Sequence, residues 1–70
     1  MKAVYSPDMG KVKRLSYKNG WSWADLAKRA GLSINTLFAL QAKRRKASER
    51  TVYKLAAALD VAPTDLVEKD

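Results

Sequence analysis

Lys43-Arg44-Arg45-Lys46 is the densest cluster of functional groups in the chain, and the chemistry it offers is electrostatic. Four consecutive cations can neutralise phosphates and release their counterions, which makes binding steeply salt-dependent. The rest of the sequence leans the same way. Its 70 residues hold 14 Lys and Arg against 7 Asp and Glu, a net charge of +7, with a sequence pI near 10.0. The excess is uneven. Residues 1–59 carry thirteen basic and three acidic side chains, whereas residues 60–70 carry Asp60, Asp65, Glu68 and Asp70 against Lys69. A basic body of this kind suits a polyanionic partner, nucleic acid first and an anionic membrane surface second.

Other chemistries are poorly served. The sequence has no histidine and no cysteine, which removes disulfides, thiolate or imidazole metal sites, and Cys- or His-based nucleophiles. Asp8, Asp25, Glu49 and Asp65 each fall in the first turn of a predicted helix, where a carboxylate offsets the macrodipole. No two acids are left juxtaposed for acid–base work, and Gly10, Gly20 and Gly31 do not form a phosphate-cradling loop. The expectation is a protein that is not an enzyme and uses no cofactor or metal. No apolar run reaches the length of a signal peptide or a membrane span, so a cytoplasmic location is expected. The starting Met and the compact ends favour a whole protein over an excised domain.

Positioning these groups falls to helices. A chain of this length makes one domain, residues 1–70, and buries only about 60% of its unfolded surface, so well-made helix ends matter. Ser6-Pro7-Asp8 predicts a first helix running to Asn19-Gly20, with Val12 and Leu15 facing inward. Ser22 caps a second, with Asp25 completing a capping box and Trp21 and Leu26 forming a staple. Ser33 opens a third, with Leu32 and Leu37 as its staple. Ser48-Glu49 opens a fourth, whose Val52, Leu55, Ala56 and Leu59 fall at helical spacing. Ala62-Pro63-Thr64-Asp65 predicts a short fifth. No strand pattern competes, and the fold class read from the sequence is all-α.

Within this layout the segment from Trp23 to Leu40 stands out. Ala27 is small where two helices would cross, Gly31 sits at the turn, and Leu37 and Leu40 can pack back on Leu26. That is the pattern of a helix-turn-helix over residues 23–42, whose second helix usually enters the DNA major groove. From Lys11 to Val67 the chain resembles the Cro/repressor-type, or xenobiotic-response-element, helix-turn-helix family. The residues that carry the likeness are Leu15, Gly20-Trp21-Ser22, Leu26-Ala27, Gly31-Leu32-Ser33, Leu37, Leu40, Ser48, Leu55 to Leu59, Asp60-Val61 and Asp65-Leu66. The resemblance implies a five-helix, lambda-repressor-like DNA-binding domain, usually a bacterial or phage transcriptional repressor or activator and often a dimer.

Carried over position by position, the resemblance assigns Ser33, Ile34, Asn35, Phe38 and Ala39 to base edges and nearby phosphates. Asn35 can bond an adenine edge with both amide groups, and Ile34 and Phe38 can touch thymine methyls. Trp23 stands where the family commonly has a phosphate-binding Gln; its indole N–H can donate one bond there, or the ring can pack on the surface. Lys43, Arg44, Arg45 and Lys46 fall in the loop that approaches the backbone.

Two departures bear on function. Many members have Glu-Asn-Gly where this chain reads Gln41-Ala42-Lys43, and an Arg where it has Ser16. Both partners of an ion pair are thus replaced together, so no charge is stranded. Without Gly at position 43 or Pro at position 47, the end of the third helix is open, and continuation past Ala42 is allowed. The predicted reading face also lacks an Arg for guanine and holds two large apolar groups. An alternative follows, in which the fold is a protein-interaction module anchored by Ile34 and Phe38. A homodimer, if formed, would use the fifth helix and adjacent tail with Val61, Leu66 and Val67.

Overall fold

Side-chain caps start all four α-helices of the computed structural model, which describes residues 4–67. Helix α1 spans Met9–Lys18, α2 Trp23–Ala30, α3 Ile34–Gln41 and α4 Glu49–Leu59. Ser22, Ser33 and Ser48 accept from the third backbone N–H of α2, α3 and α4. At α2 the reciprocal half is also present, the Ser22 N–H donating to Asp25 Oδ2 at 3.0 Å.

The four helices also end alike. After each, the residue in the left-handed region lets the next amide reach back five positions: Trp21 to Ser16, Leu32 to Ala27, Arg44 to Ala39 and Val61 to Ala56, at 2.8–3.0 Å. Those left-handed residues are Gly20, Gly31, Lys43 and Asp60. Helix α3 therefore stops at Gln41 and does not run on past Ala42.

Three expectations are corrected. The first helix is capped by Asp8, which accepts the Lys11 N–H at 3.1 Å. Pro7 is not its first residue, because it lies extended in an antiparallel bridge to Val67. The predicted fifth helix is a single 3-10 turn, Pro63–Asp65, without a side-chain cap. Two i to i+3 bonds, Asp65 to Ala62 and Leu66 to Pro63, fill the short span between the end of α4 and the Val67 bridge. A small antiparallel pair was not expected: β1 (Val4–Tyr5) against β2 (Ala47–Ser48), with Val4 opposite Ser48 and Tyr5 opposite Ala47.

The core lies where the helices converge. Val12 from α1, Leu26 and Ala27 from α2, Leu37 and Leu40 from α3, and Val52, Leu55 and Leu59 from α4 are buried, with Leu66 closing the base. Ala27 is 4% exposed, and a small residue there allows the close approach of α2 to its neighbours. Leu15, Trp21, Trp23, Leu32 and Val61 are half-buried against this core. Ser16, facing the core from α1, is 2% exposed, and its hydroxyl has no hydrogen-bond partner.

Candidate nucleic-acid interface

The outer side of α3 is where local structure and charge meet. Leu37 and Leu40 point inward, fixing the rotation of the helix, so Ile34, Asn35 and Phe38 face out. Phe38 is 44% exposed and Ile34 36%, more than a core role explains. Beside them runs an open groove of about 960 Å³ that gathers Ser33, Asn35, Phe38 and Ala39 with Arg44 and Arg45. Six of the ten expected site residues thus share one concave surface. Ile34, Trp23, Lys43 and Lys46 do not line it.

The groove's arginines are delivered by the turn after α3. Lys43 takes φ 58°, and the Arg44 N–H donates to the Ala39 carbonyl at 2.9 Å. The chain is thereby folded back, placing Arg44 and Arg45 beside α3 rather than one turn further along it. Lys43, Arg45 and Lys46 also border a smaller cleft of about 200 Å³ with Ser6 and Pro7. All four cations are exposed.

Ser33 has a structural duty. Its hydroxyl accepts the Thr36 N–H at 3.1 Å and lies 2.8 Å from the Thr36 hydroxyl. It caps α3, whose N-terminal end carries the positive pole of the helix dipole. Trp23 is placed differently from the expectation of a phosphate donor: its Nε1–H donates to Gln41 Oε1 at 2.8 Å. Because an indole N–H can only donate, the Gln41 amide must turn its oxygen to Trp23 and its NH2 outward.

Gln41, together with Thr36 and Ala42, lines the groove and was missed as a site residue. Its signal was the i, i+4, i+7 spacing of Ile34, Phe38 and Gln41, which puts Gln41 on the same outward row of α3. The Trp23–Gln41 bond also joins the first residue of α2 to the last of α3, at the place where the family's ion pair is absent.

The second helix holds its charges in fixed places. The Ser22 amide and hydroxyl bonds, with Arg29 and Lys28 nearby, hold the Asp25 carboxyl below its ordinary range. The Arg29 guanidinium stacks over the Trp21 ring at 4.5 Å from its centroid, a cation–π contact. In α4, a hydrogen bond to Glu49 and that group's charge raise the Tyr53 hydroxyl above its ordinary range. Among the described residues no group of three or more acidic side chains could hold a metal ion. No helix among them is long and apolar enough to cross a membrane.

Comparison with known proteins agrees with this architecture. No curated protein sequence matches the chain. Among solved structures it is similar to the restriction-modification controller protein C.AhdI from Aeromonas hydrophila, at 28% identity over 81% of this chain and 86% of that one, with a TM-score of 0.74. It is also similar to the hypothetical transcription factor NHTF from Neisseria, at 26% identity over 91% and 81% of the two chains, with a TM-score of 0.73. SinR, the master regulator for biofilm formation, solved in complex with DNA, has the same fold at 24% identity over 80% and 90%, with a TM-score of 0.73. The helix-turn-helix family model matches residues 6–66, nearly the whole of the described chain. The protein belongs to the helix-turn-helix family, in its xenobiotic-response-element branch.

Proposed function

We propose that this protein is a sequence-specific, repressor-like transcriptional regulator that binds double-stranded DNA with α3 in the major groove. The observation that carries the reading is the groove shared by Asn35, Phe38 and Ala39 with Arg44 and Arg45. A base-reading amide and apolar contacts for thymine methyls lie on one helix, and the cations that fix its register on the phosphates flank it. In this reading Ser33 and the α3 N-terminus meet a phosphate, Lys43 and Lys46 extend the backbone contacts, and Trp23 acts through Gln41. The location is the cytoplasm, where the DNA of a bacterial host lies.

The competing reading, a protein-interaction module anchored on Ile34 and Phe38, has less support. Phe38 shares its groove with two arginines, so the exposed apolar surface of α3 is flanked by cations and not by the apolar rim a protein anchor would favour. Selection of bound duplexes from a random pool at two salt concentrations decides between them. An enriched sequence at physiological salt, lost on Asn35→Ala at a cost of about 1–3 kcal/mol, is the expected result. No enrichment in the parent protein would sink the regulator reading.

A dimer on a two-fold operator would need an apolar surface away from α3. Leu66 is fully buried and belongs to the monomer core, while Val61 and Val67 are half-buried. Pairing would therefore centre on the cleft of about 240 Å³ formed by Tyr5, Val52, Tyr53, Pro63 and Val67. Sedimentation of the parent and Tyr53→Arg tests it: a parent that stays monomeric on its selected duplex removes this surface from the model.

A further inference from the structure

Helix α1 carries Lys11, Lys13, Arg14 and Lys18 and no acidic residue. As a merely solvated face it is badly made. Lys11 lies in the first turn, at the positive end of the helix dipole, and Arg14 and Lys18 repel each other at i, i+4. The nearest carboxylate, Asp8, is engaged in capping the Lys11 amide. Between these cations stands Tyr17, 85% exposed, with no part in the core.

The stripe is continuous with the interface described above. Lys13 borders a cleft of about 230 Å³ together with Asp8, Gln41 and Lys43. On its other side Lys13 borders a second, of about 450 Å³, with Gly10, Arg14, Tyr17 and Lys18. Positions 10, 13, 14, 17 and 18 follow one helical face, so cationic surface runs from the end of α3 along the length of α1. Its charge and its direction fit one occupant, the sugar–phosphate backbone of the same duplex beyond the bases that α3 reads.

We infer that the outer face of α1 is a second phosphate-binding surface, in which Lys13, Arg14 and Lys18 hold flanking DNA backbone and Tyr17 packs against it. The inference rests on the DNA-binding reading of α3. It makes the footprint longer than the α3 groove alone requires, and it adds affinity without adding base preference.

The test compares the parent with a Lys13→Gln, Arg14→Gln, Lys18→Gln variant of the full chain, whose exposed substitutions keep good helix formers. Thermal melting confirms that it folds. Binding to the selected duplex is then titrated against salt, on a long duplex and on one trimmed to the enriched bases. On the long duplex the slope of log K against log salt should shrink by about one per cation removed. On the trimmed duplex parent and variant should converge, and both should select the same bases. A second variant, Tyr17→Ala, should weaken binding to the long duplex without changing the slope. Specific binding by the parent with an unchanged slope in the triple variant overturns the α1 surface alone. A parent that selects no duplex overturns both readings, and a variant that alters the selected bases overturns the assignment to backbone contact.

Discussion

Gly31 and Lys43 hold equivalent places at the ends of α2 and α3, with φ of 69° and 58°. Both turns close with the same pair of hydrogen bonds: Gly31 to Lys28 and Leu32 to Ala27 in one, Lys43 to Leu40 and Arg44 to Ala39 in the other. At the first turn the residue is the one that reaches the left-handed region without steric cost. At the second it is a lysine, whose Cβ crowds the following carbonyl at roughly 1–2 kcal/mol. The two turns do different work. The α2–α3 turn sets one helix against another, and the turn after α3 carries four exposed cations, two of which, Arg44 and Arg45, it delivers to the groove. Where the turn serves only the scaffold, the residue is chosen for the backbone; where it borders the interface, a side chain has displaced that choice.

The comparison breaks most sharply at Gly31. A Cβ built there meets nothing within 4 Å, so Gly31→Ala is a clean measure of backbone strain. It should lower stability by about 0.5–1 kcal/mol in chemical denaturation, the left-handed strain less the freedom that Gly gives the unfolded chain, with unchanged DNA affinity per folded molecule. Lys43→Gly should move the two properties apart. Relief of strain, less the extra freedom of Gly in the unfolded chain and a lost cation at the helix end, leaves a gain of about 0.5 kcal/mol. Binding should weaken and its salt slope should shrink by about one. A Lys43→Gly variant that gains stability and binds as well as the parent would show that Lys43 is not retained for contact with DNA.

These turns also show what the sequence can and cannot disclose. Helix starts at Ser22, Ser33 and Ser48 are legible because a cap and its partner lie three residues apart. Gly20 and Gly31 are legible stops because glycine takes the left-handed backbone of a helix end without steric cost. Lys43 is not, since lysine favours helix and the stop depends on the chain turning back to place Ala47 opposite Tyr5. That pairing involves two residues a side, more than forty positions apart, and is too short to leave an alternating pattern. Ser6 resembles a cap, yet Asp8 does the capping because the Pro7–Val67 bridge, a contact between the chain's two ends, holds the preceding residues extended. The reading face of α3 is legible from its periodicity. Its bond from Trp23 to Gln41 spans 18 positions, and no local rule announces it.

Asp60 supplies the smallest and most discriminating test, because among the described residues it is the other left-handed one that is not glycine. Its φ is 56°, its turn closes through Val61 and Ala56, and it lines none of the clefts around α3. Aspartate tolerates this backbone better than lysine does, since its short side chain can bond locally. Its negative charge, however, faces the negative end of the α4 dipole, an unfavourable placement. Asp60→Asn keeps the tolerance for the left-handed region and removes the charge. Stability should therefore rise by about 0.5 kcal/mol at neutral pH. DNA affinity and its salt slope should stay as in the parent apart from a small long-range effect, screened beyond about 10 Å at 0.1 M salt. A salt slope altered as much by Asp60→Asn as by Lys43→Gly would mean that overall charge, and not the place of each cation around α3, governs binding. Equal stability gains with unequal binding would instead locate the difference between the two turns in what Lys43 touches.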